Sequence, residues 1–284
     1  MMRLNKVKVK GDNNLVAINS SFICLNPQEK IQISKNFETR NVFTNKMMHV
    51  FDLINKYLVC EEDINFYFLG SILGLDSNNY INEILESKKE PSYEFLELVA
   101  DKLCLSIDWL KYSHGNPFDC KPIMVRDYED IYNYCKNNPI QNIIILHSNE
   151  IQENVMILVS LSPYQYRRFS ITYPMYSNVG ASGGSMIYDF YKLARKINSD
   201  RDLYINTWSY VVSEEIFYAI RLGKYFPGCY QREKLHNTYF WEDIFDLDNY
   251  YFSVEEYENM YGADFKKIQD IIRYKKSLSK NGSN

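Results

Sequence analysis

Several classes of protein are excluded by what this sequence has little of. It has 3 Trp, 8 Pro and 4 His in 284 residues. The histidines, His49, His114, His147 and His236, lie too far apart to suggest a metal-ligand spacing, so no metal or cofactor is expected. The six cysteines, Cys24, Cys60, Cys104, Cys120, Cys135 and Cys229, form no C-x-x-C pair and read as reduced thiols. A zinc site built from Cys104, Cys120 and Cys135 with a histidine is the weaker alternative. The longest apolar runs, Ile143 to Leu146 and Val155 to Leu161, fall far short of the ~20 residues that span a bilayer. Residues 1–10 are charged and alternating, unlike a secretory signal, so the expected location is cytoplasmic with no membrane partner. Net charge is −4, so no global basic field advertises a polyanion. No internal repeat is visible.

What is present is a globular composition, 46% hydrophobic and 24% charged, with 25 Tyr and 16 Phe. Charge is zoned. Residues 1–46 hold 8 Lys/Arg and 3 Asp/Glu, residues 47–118 hold 5 and 12, and residues 119–284 hold 19 and 21. This zoning implies a multidomain chain of three parts. In residues 1–46, Lys6-Val7-Lys8-Val9-Lys10, then Gly11-Asp12-Asn13-Asn14, then Leu15-Val16-Ala17-Ile18 predicts an N-terminal β-hairpin. Such a hairpin is marginal alone and supports packing or oligomerisation.

Residues 47–118 read as all-α. Apolar spacing predicts helices over Met47 to Cys60 and Ile64 to Leu73. Asp76 or Ser77 can cap a third through Glu86, Pro91-Ser92 starts a fourth to Leu103, and Ser106 opens a short segment through Trp109-Leu110. Residues 119–284 read as an α+β domain for oligomerisation or sensing. Helix is expected at Asp127 to Cys135, strands at Asn142 to His147, Val155 to Ser160 and Arg168 to Tyr173, and a Gly/Ser loop at Gly180 to Ser185. Further helices are expected at Met186 to Ile197, Glu214 to Leu222 and Ser253 to Lys276, and a long strand at Leu203 to Val212.

Within the middle zone, Leu69-Gly70-Ser71-Ile72-Leu73-Gly74-Leu75 resembles the second helix and turn of lambda-repressor-like (Cro/Xre-type) helix-turn-helix domains. Ser77-Asn78-Asn79-Tyr80-Ile81-Asn82-Glu83-Ile84 stands in the place of that family's recognition helix. Lys88-Lys89-Glu90-Pro91-Ser92 is similar to its Gly-Lys-x-x-Pro-Ser link, and Phe95 to Leu103 to its fourth helix. The resemblance covers about 70 residues and implies a transcriptional regulator, a phage-type repressor, binding double-stranded DNA as a homodimer or higher homo-oligomer. It makes Ser77, Asn78, Asn79 and Asn82 candidates for base contacts and Lys88 and Lys89 for phosphates; Asn carries the donor and acceptor that adenine matches. Three departures stand out: Ser87 where the family has Gly, Phe66-Tyr67-Phe68 where polar residues are common, and an acidic zone facing a polyanion. An acidic module also suits a non-enzymatic protein-interaction factor, antitoxin-like or phage-defence-associated, that grips a protein partner.

In residues 119–284, Gly180, Ser182, Gly183, Gly184 and Ser185 form a candidate anion or ligand loop ahead of a helix. The same letters match G-x-S-x-G, with Asp189, Asp202 and His236 later in the chain, so an enzyme is a third reading, although no catalytic residue is assigned. Tyr164-x-Tyr166-Arg167-Arg168 reads as a strand start able to meet a phosphate. Glu214-Glu215 and Glu255-Glu256 read as helix starts.

Overall fold

Local capping fixes most of the helix starts. Asn65, Ser92, Ser106, Asp127, Asp200, Ser213 and Ser253 each accept a backbone N–H with the side chain at a helix start. In the computed structural model, residues 42–57, 63–148, 155–244, 246 and 252–281 are described. The expected N-terminal hairpin, Cys24 and Cys60 lie outside them.

Five helices come first: α1 (Val42–Tyr57), α2 (Phe66–Ile72), α3 (Asn79–Leu85), α4 (Tyr93–Leu103) and α5 (Ile107–Tyr112). After α6 (Tyr128–Asn137) come three strands, β1 (Asn142–His147), β2 (Val155–Ser162) and β3 (Gln165–Tyr173). Next are α7 (Ala181–Ser199), α8 (Arg201–Tyr204), β4 (Thr207–Val212), α9 (Glu214–Arg221), a 3-10 turn (Pro227–Cys229) and α10 (Tyr230–Glu233). The last elements are β5 (Lys234–Thr238), α11 (Phe240–Asp243), α12 (Val254–Tyr261) and α13 (Phe265–Asn281). The class is mixed α and β. The sheet order is β3-β2-β1-β4-β5. β1 runs parallel to β4 and antiparallel to β2; the β2–β3 and β4–β5 pairs are antiparallel.

The sheet is covered on both faces. Ile143, Ile144, Ile145 and Leu146 of β1 are all fully buried. Ile143 and Ile145 join Val155, Ile157, Val159, Phe169 and Tyr173 in a cluster with α6, α7, α12 and α13. Ile144 and Leu146 join Met156, Leu158, Tyr166 and Val212 in the cluster that also holds the cores of α1 to α5. Alternate side chains thus point to opposite helical layers. Each fully buried aliphatic or aromatic side chain contributes about 1.5–3 kcal/mol. The packing is continuous across residues 118–119, and residues 41–284 form one compact unit.

Specific contacts set how α1 to α5 sit on the sheet. Arg167 Nη2 meets Asp101 Oδ1 at 2.7 Å, and Gln165 Nε2 donates to Asp101 O at 3.0 Å. Phe118 N donates to Gly223 O at 2.9 Å, and Asn116 Nδ2 to Leu222 O at 2.9 Å. Gly223 has φ +67°, and a Cβ there would lie 2.1 Å from Asp119 N. The lysine of the basic N-terminal zone that is described, Lys46, is 8% exposed. Its Nζ donates to Trp109 O at 2.8 Å and Leu110 O at 2.7 Å, tying α1 to α5, and burial lowers its pKa.

Several elements depart from the sequence reading. α1 starts at Val42 rather than Met47, so residue 46 is inside a helix. The cap position of α3 is held by Asn78, and its side chain makes no capping bond. Residues 203–206 are not strand: Asp200 caps the short helix α8, and the strand begins at Thr207. The last helical stretch is two helices, parted at Gly262 with φ +98°.

At the far side of the sheet, Tyr261 Oη donates to Asp243 Oδ2, and Gln269 Nε2 donates to Asp243 O at 3.1 Å. Asp243 is 9% exposed. Burial pushes its carboxyl up to about 6; the Tyr261 hydrogen bond opposes this, and Glu242 and Asp246 add to the rise.

Two outcomes follow from these contacts. Gly223→Ala combines a strained positive φ with a backbone clash and should cost about 2–4 kcal/mol, read as a lower urea midpoint. A cost below ~1 kcal/mol would contradict the close approach. Because the folded pKa of Asp243 lies above the ordinary carboxylate value, this group's contribution to stability falls as pH rises from about 4 to about 6. Asp243→Asn should therefore stabilise the chain relative to wild type by roughly 1–3 kcal/mol at pH 7.5, with the gap closing below pH 4. A pH-independent difference between the two melting curves would count against it.

Candidate nucleic-acid interface

The α2–turn–α3 segment is built around two glycines. Leu69 and Gly70 are buried on α2. Leu73 N donates to Leu69 O, Gly74 N to Ser71 O and Leu75 N to Gly70 O, at 2.9, 3.1 and 3.0 Å, so the chain leaves α2 through Gly74 at φ +68°. A side chain at that φ would be strained. Ile81 and Ile84 of α3 are 2% and 1% exposed, three residues apart on the inner face. Asn79 and Asn82 lie away from that face and are exposed, as is Ser77 ahead of the helix.

Asn78 stands apart from that group. Its Nδ2 donates to Tyr67 O at 3.3 Å. Its Oδ1 fills the space above Gly70, 1.7 Å from where a Cβ would sit. The absent side chain at residue 70 thus admits Asn78 as a spacer between α2 and α3, turned back from the outer face. The sequence placed Asn78 with the base-contact candidates because it shares helical spacing with Asn82. Nothing in the spacing signals its turn toward α2.

The two lysines after α3 are engaged. Lys88 Nζ lies 2.5 Å from Glu86 Oε2, and Glu86 raises its pKa. Lys89 Nζ is 3.8 Å from Glu83 Oε2 and 4.6 Å from the centre of the Tyr80 ring. Both pairs are exposed, so each is weak and salt-sensitive. Ser87, where the resembled family has Gly, adopts φ +56°. This left-handed residue ends α3, and Lys88 N and Lys89 N both donate to Glu83 O, at 2.8 and 3.3 Å. The aromatic triplet divides. Phe66 packs edge-on against Phe51 at 5.0 Å and Phe68 against Tyr164 at 6.2 Å, while Tyr67 is 82% exposed. Tyr67 is the surface residue beside α3 that the sequence reading passed over, since all three aromatics read alike as core or interface.

The Gly/Ser segment is not a loop. Gly180 holds the cap position of α7, and Ser182, Gly183, Gly184 and Ser185 form its first turns. Gly184 N donates to Gly180 O at 3.0 Å. Ser185 Oγ donates to Ala181 O at 3.1 Å and accepts from Lys275 Nζ at 3.1 Å. A Cβ at Gly184 would stand in ordinary contact with Lys275 Cε at 3.4 Å and Ile271 Cγ2 at 3.6 Å, both of α13. Ser182 lies within a helix rather than on a strand-to-helix turn, which removes the geometry a nucleophile elbow needs. Asp189 pairs with Lys192 at 2.6 Å, and Asp202 belongs to α8.

The remaining sequence candidates are structural. Tyr166 is buried, Arg167 pairs with Asp101, and Arg168 Nη2 lies 3.5 Å from Asp119 Oδ1. Cys104 and Cys120 line a cavity of about 270 Å³ with Arg167, whereas Cys135 belongs to the cluster on the other sheet face. Burial and the nearby Cys120 push the Cys104 thiol up to about 11, so it is a poor nucleophile. Among the described residues, no three His, Cys, Asp or Glu side chains gather as a metal site. His147 is buried in a stack with Phe240 at 4.3 Å, and His49 and His114 are exposed. Ser253 and Glu256 form a capping box.

Among the described residues no helix is long and apolar enough to cross a membrane. No protein-family model matches the chain, and no curated protein and no solved structure matches it.

Proposed function

We propose that this chain is a sequence-specific DNA-binding transcriptional regulator of the phage-repressor kind, with α2, the Gly74 turn and α3 acting as a lambda-repressor-like helix-turn-helix. One observation carries the reading: α3 buries Ile81 and Ile84 and leaves Asn79 and Asn82 exposed, beyond a tight glycine turn and the exposed Ser77 that precedes the helix. Asn79 and Asn82 would offer bidentate contacts to adenine in the major groove. Such modules read paired half-sites, so the reading includes a homodimer or higher homo-oligomer on a palindromic operator. The sheet and its outer helices would hold the copies together or sense an effector. This role belongs in the cytoplasm.

A second reading has its own support. Lys88 and Lys89 are already paired with Glu86 and Glu83, and the exposed Tyr67 lies beside α3. A face whose charges are already paired and that carries an exposed aromatic suits a protein partner, as in an antitoxin-like or phage-defence-associated factor.

Selection of bound fragments from a random duplex pool at ~50 mM salt separates the two. A regulator enriches one paired motif, and affinity for it falls steeply toward ~200 mM salt. Asn79→Ala with Asn82→Ala should cost about 2–6 kcal/mol in binding that motif, roughly 30-fold to 20,000-fold in affinity, at about 1–3 kcal/mol per base contact. No retention at low salt, or an unchanged motif in the double variant, would overturn the assignment of α3.

A further inference from the structure

A cleft of about 210 Å³ opens where the end of α1 meets the edge of the sheet. At ~30 Å³ per water in the liquid, this is room for roughly seven waters, the scale of a single- or double-ring compound. Its walls come from distant parts of the chain: Tyr57 of α1, Asn142 of β1, Ser160 of β2, Tyr166 of β3, Phe226 before the 3-10 turn and Gln231 of α10. Tyr57, Tyr166 and Phe226 are 4%, 4% and 1% exposed, so the floor of the cleft is fixed by the core and little of each ring is open to it. Tyr166 and Phe226 stand edge to face at 5.3 Å.

The polar part of the lining is neutral. Gln141, Asn142 and Gln231 supply carboxamides, and Ser160 and Ser162 supply hydroxyls. Lys56 lies over the Tyr57 ring at 4.6 Å but is not part of the wall. The other described cavities carry charged side chains: Glu242 in one, Asp101, Asp119 and Arg167 in another, and Lys136 and Arg195 in a third. A charged ligand entering the neutral cleft would give up hydration without a counter-ion. A wholly apolar ring would leave the amides unsatisfied.

The amides are also held in place without being used up. Asn142 Nδ2 donates to Ser160 Oγ at 3.1 Å, which orients the carboxamide and keeps an acceptor oxygen and a second hydrogen in reserve. Gln231 Nε2 reaches Tyr166 Oη and Tyr230 Oη only at 3.4 and 3.5 Å, long bonds that a better partner would replace. A carboxamide presents a donor beside an acceptor, the complement of a nucleobase edge. We propose that this cleft is a binding site for a small, uncharged heterocycle of the nucleobase class, read by Asn142 and Gln231. A nucleoside fits the same chemistry with its sugar outside.

The site is tested on the full chain without DNA, so its result is independent of the DNA-binding reading. Calorimetric titration with uracil, cytosine, adenine and their nucleosides is set beside toluene and a carboxylated pyrimidine. At least one base or nucleoside should bind, with the apolar ring and the carboxylate showing no heat. Gln231→Ala and Asn142→Ala should each weaken that affinity about tenfold or more, with unchanged circular dichroism. Gln231 is at the cleft rim, so its variant carries the test if the Asn142 variant fails to fold. No binding by any neutral base, or equal affinity in a folded Gln231→Ala chain, would overturn the proposal.

Discussion

Four consecutive buried residues, Ile143 to Leu146, hold the structure together because they cannot all be covered from one side. In a strand, neighbours point to opposite faces, so β1 demands an apolar layer above and below. α7, α12 and α13 provide one layer, and α1 to α5 with α9 provide the other. The helices that carry α3 are therefore one wall of the sheet's own core rather than an appendage. The backbone contact between Phe118 and Gly223, and the Arg167–Asp101 pair, lock the orientation that this burial drives. The neutral cleft arises from the same arrangement, at the seam where α1 meets the strand ends.

The charge around α3 explains why the proposed DNA reader differs from a strongly basic one. Glu83 and Glu86 take the lysines that follow the helix, leaving an outer face dominated by uncharged side chains. Phosphate binding by Lys88 or Lys89 would exchange one weak exposed ion pair for another, a small net change.

Much of this was legible in the sequence where local chemistry decides. β1 runs over the residues its apolar run indicated, Asn142 to His147, and helices begin beside Ser92, Ser106 and Asp127 as the sequence suggested, whereas the cap before Glu214-Glu215 is Ser213. The Ile81 and Ile84 spacing gave the inner face of α3. What stayed hidden depends on distant partners. Gly180 to Ser185 has a loop's composition, yet it starts α7, where Ser185 accepts from Lys275 of the distant α13. Leu203 to Ile205 has strand-like residues, but the Asp200 cap turns the chain helical first. Asn78 reads as an outward polar residue until Gly70 offers it a place. The absence of polar alternation in β1 was the available sign of a sheet covered twice.

The account stands or falls on the shared core. Differential scanning calorimetry of the full chain tests it most directly, by comparing the calorimetric and van't Hoff enthalpies of unfolding. A core common to α1–α5 and the sheet predicts that both parts melt in one transition with equal enthalpies. Two resolved transitions, one for the helices before residue 118 and one for the sheet, would contradict it.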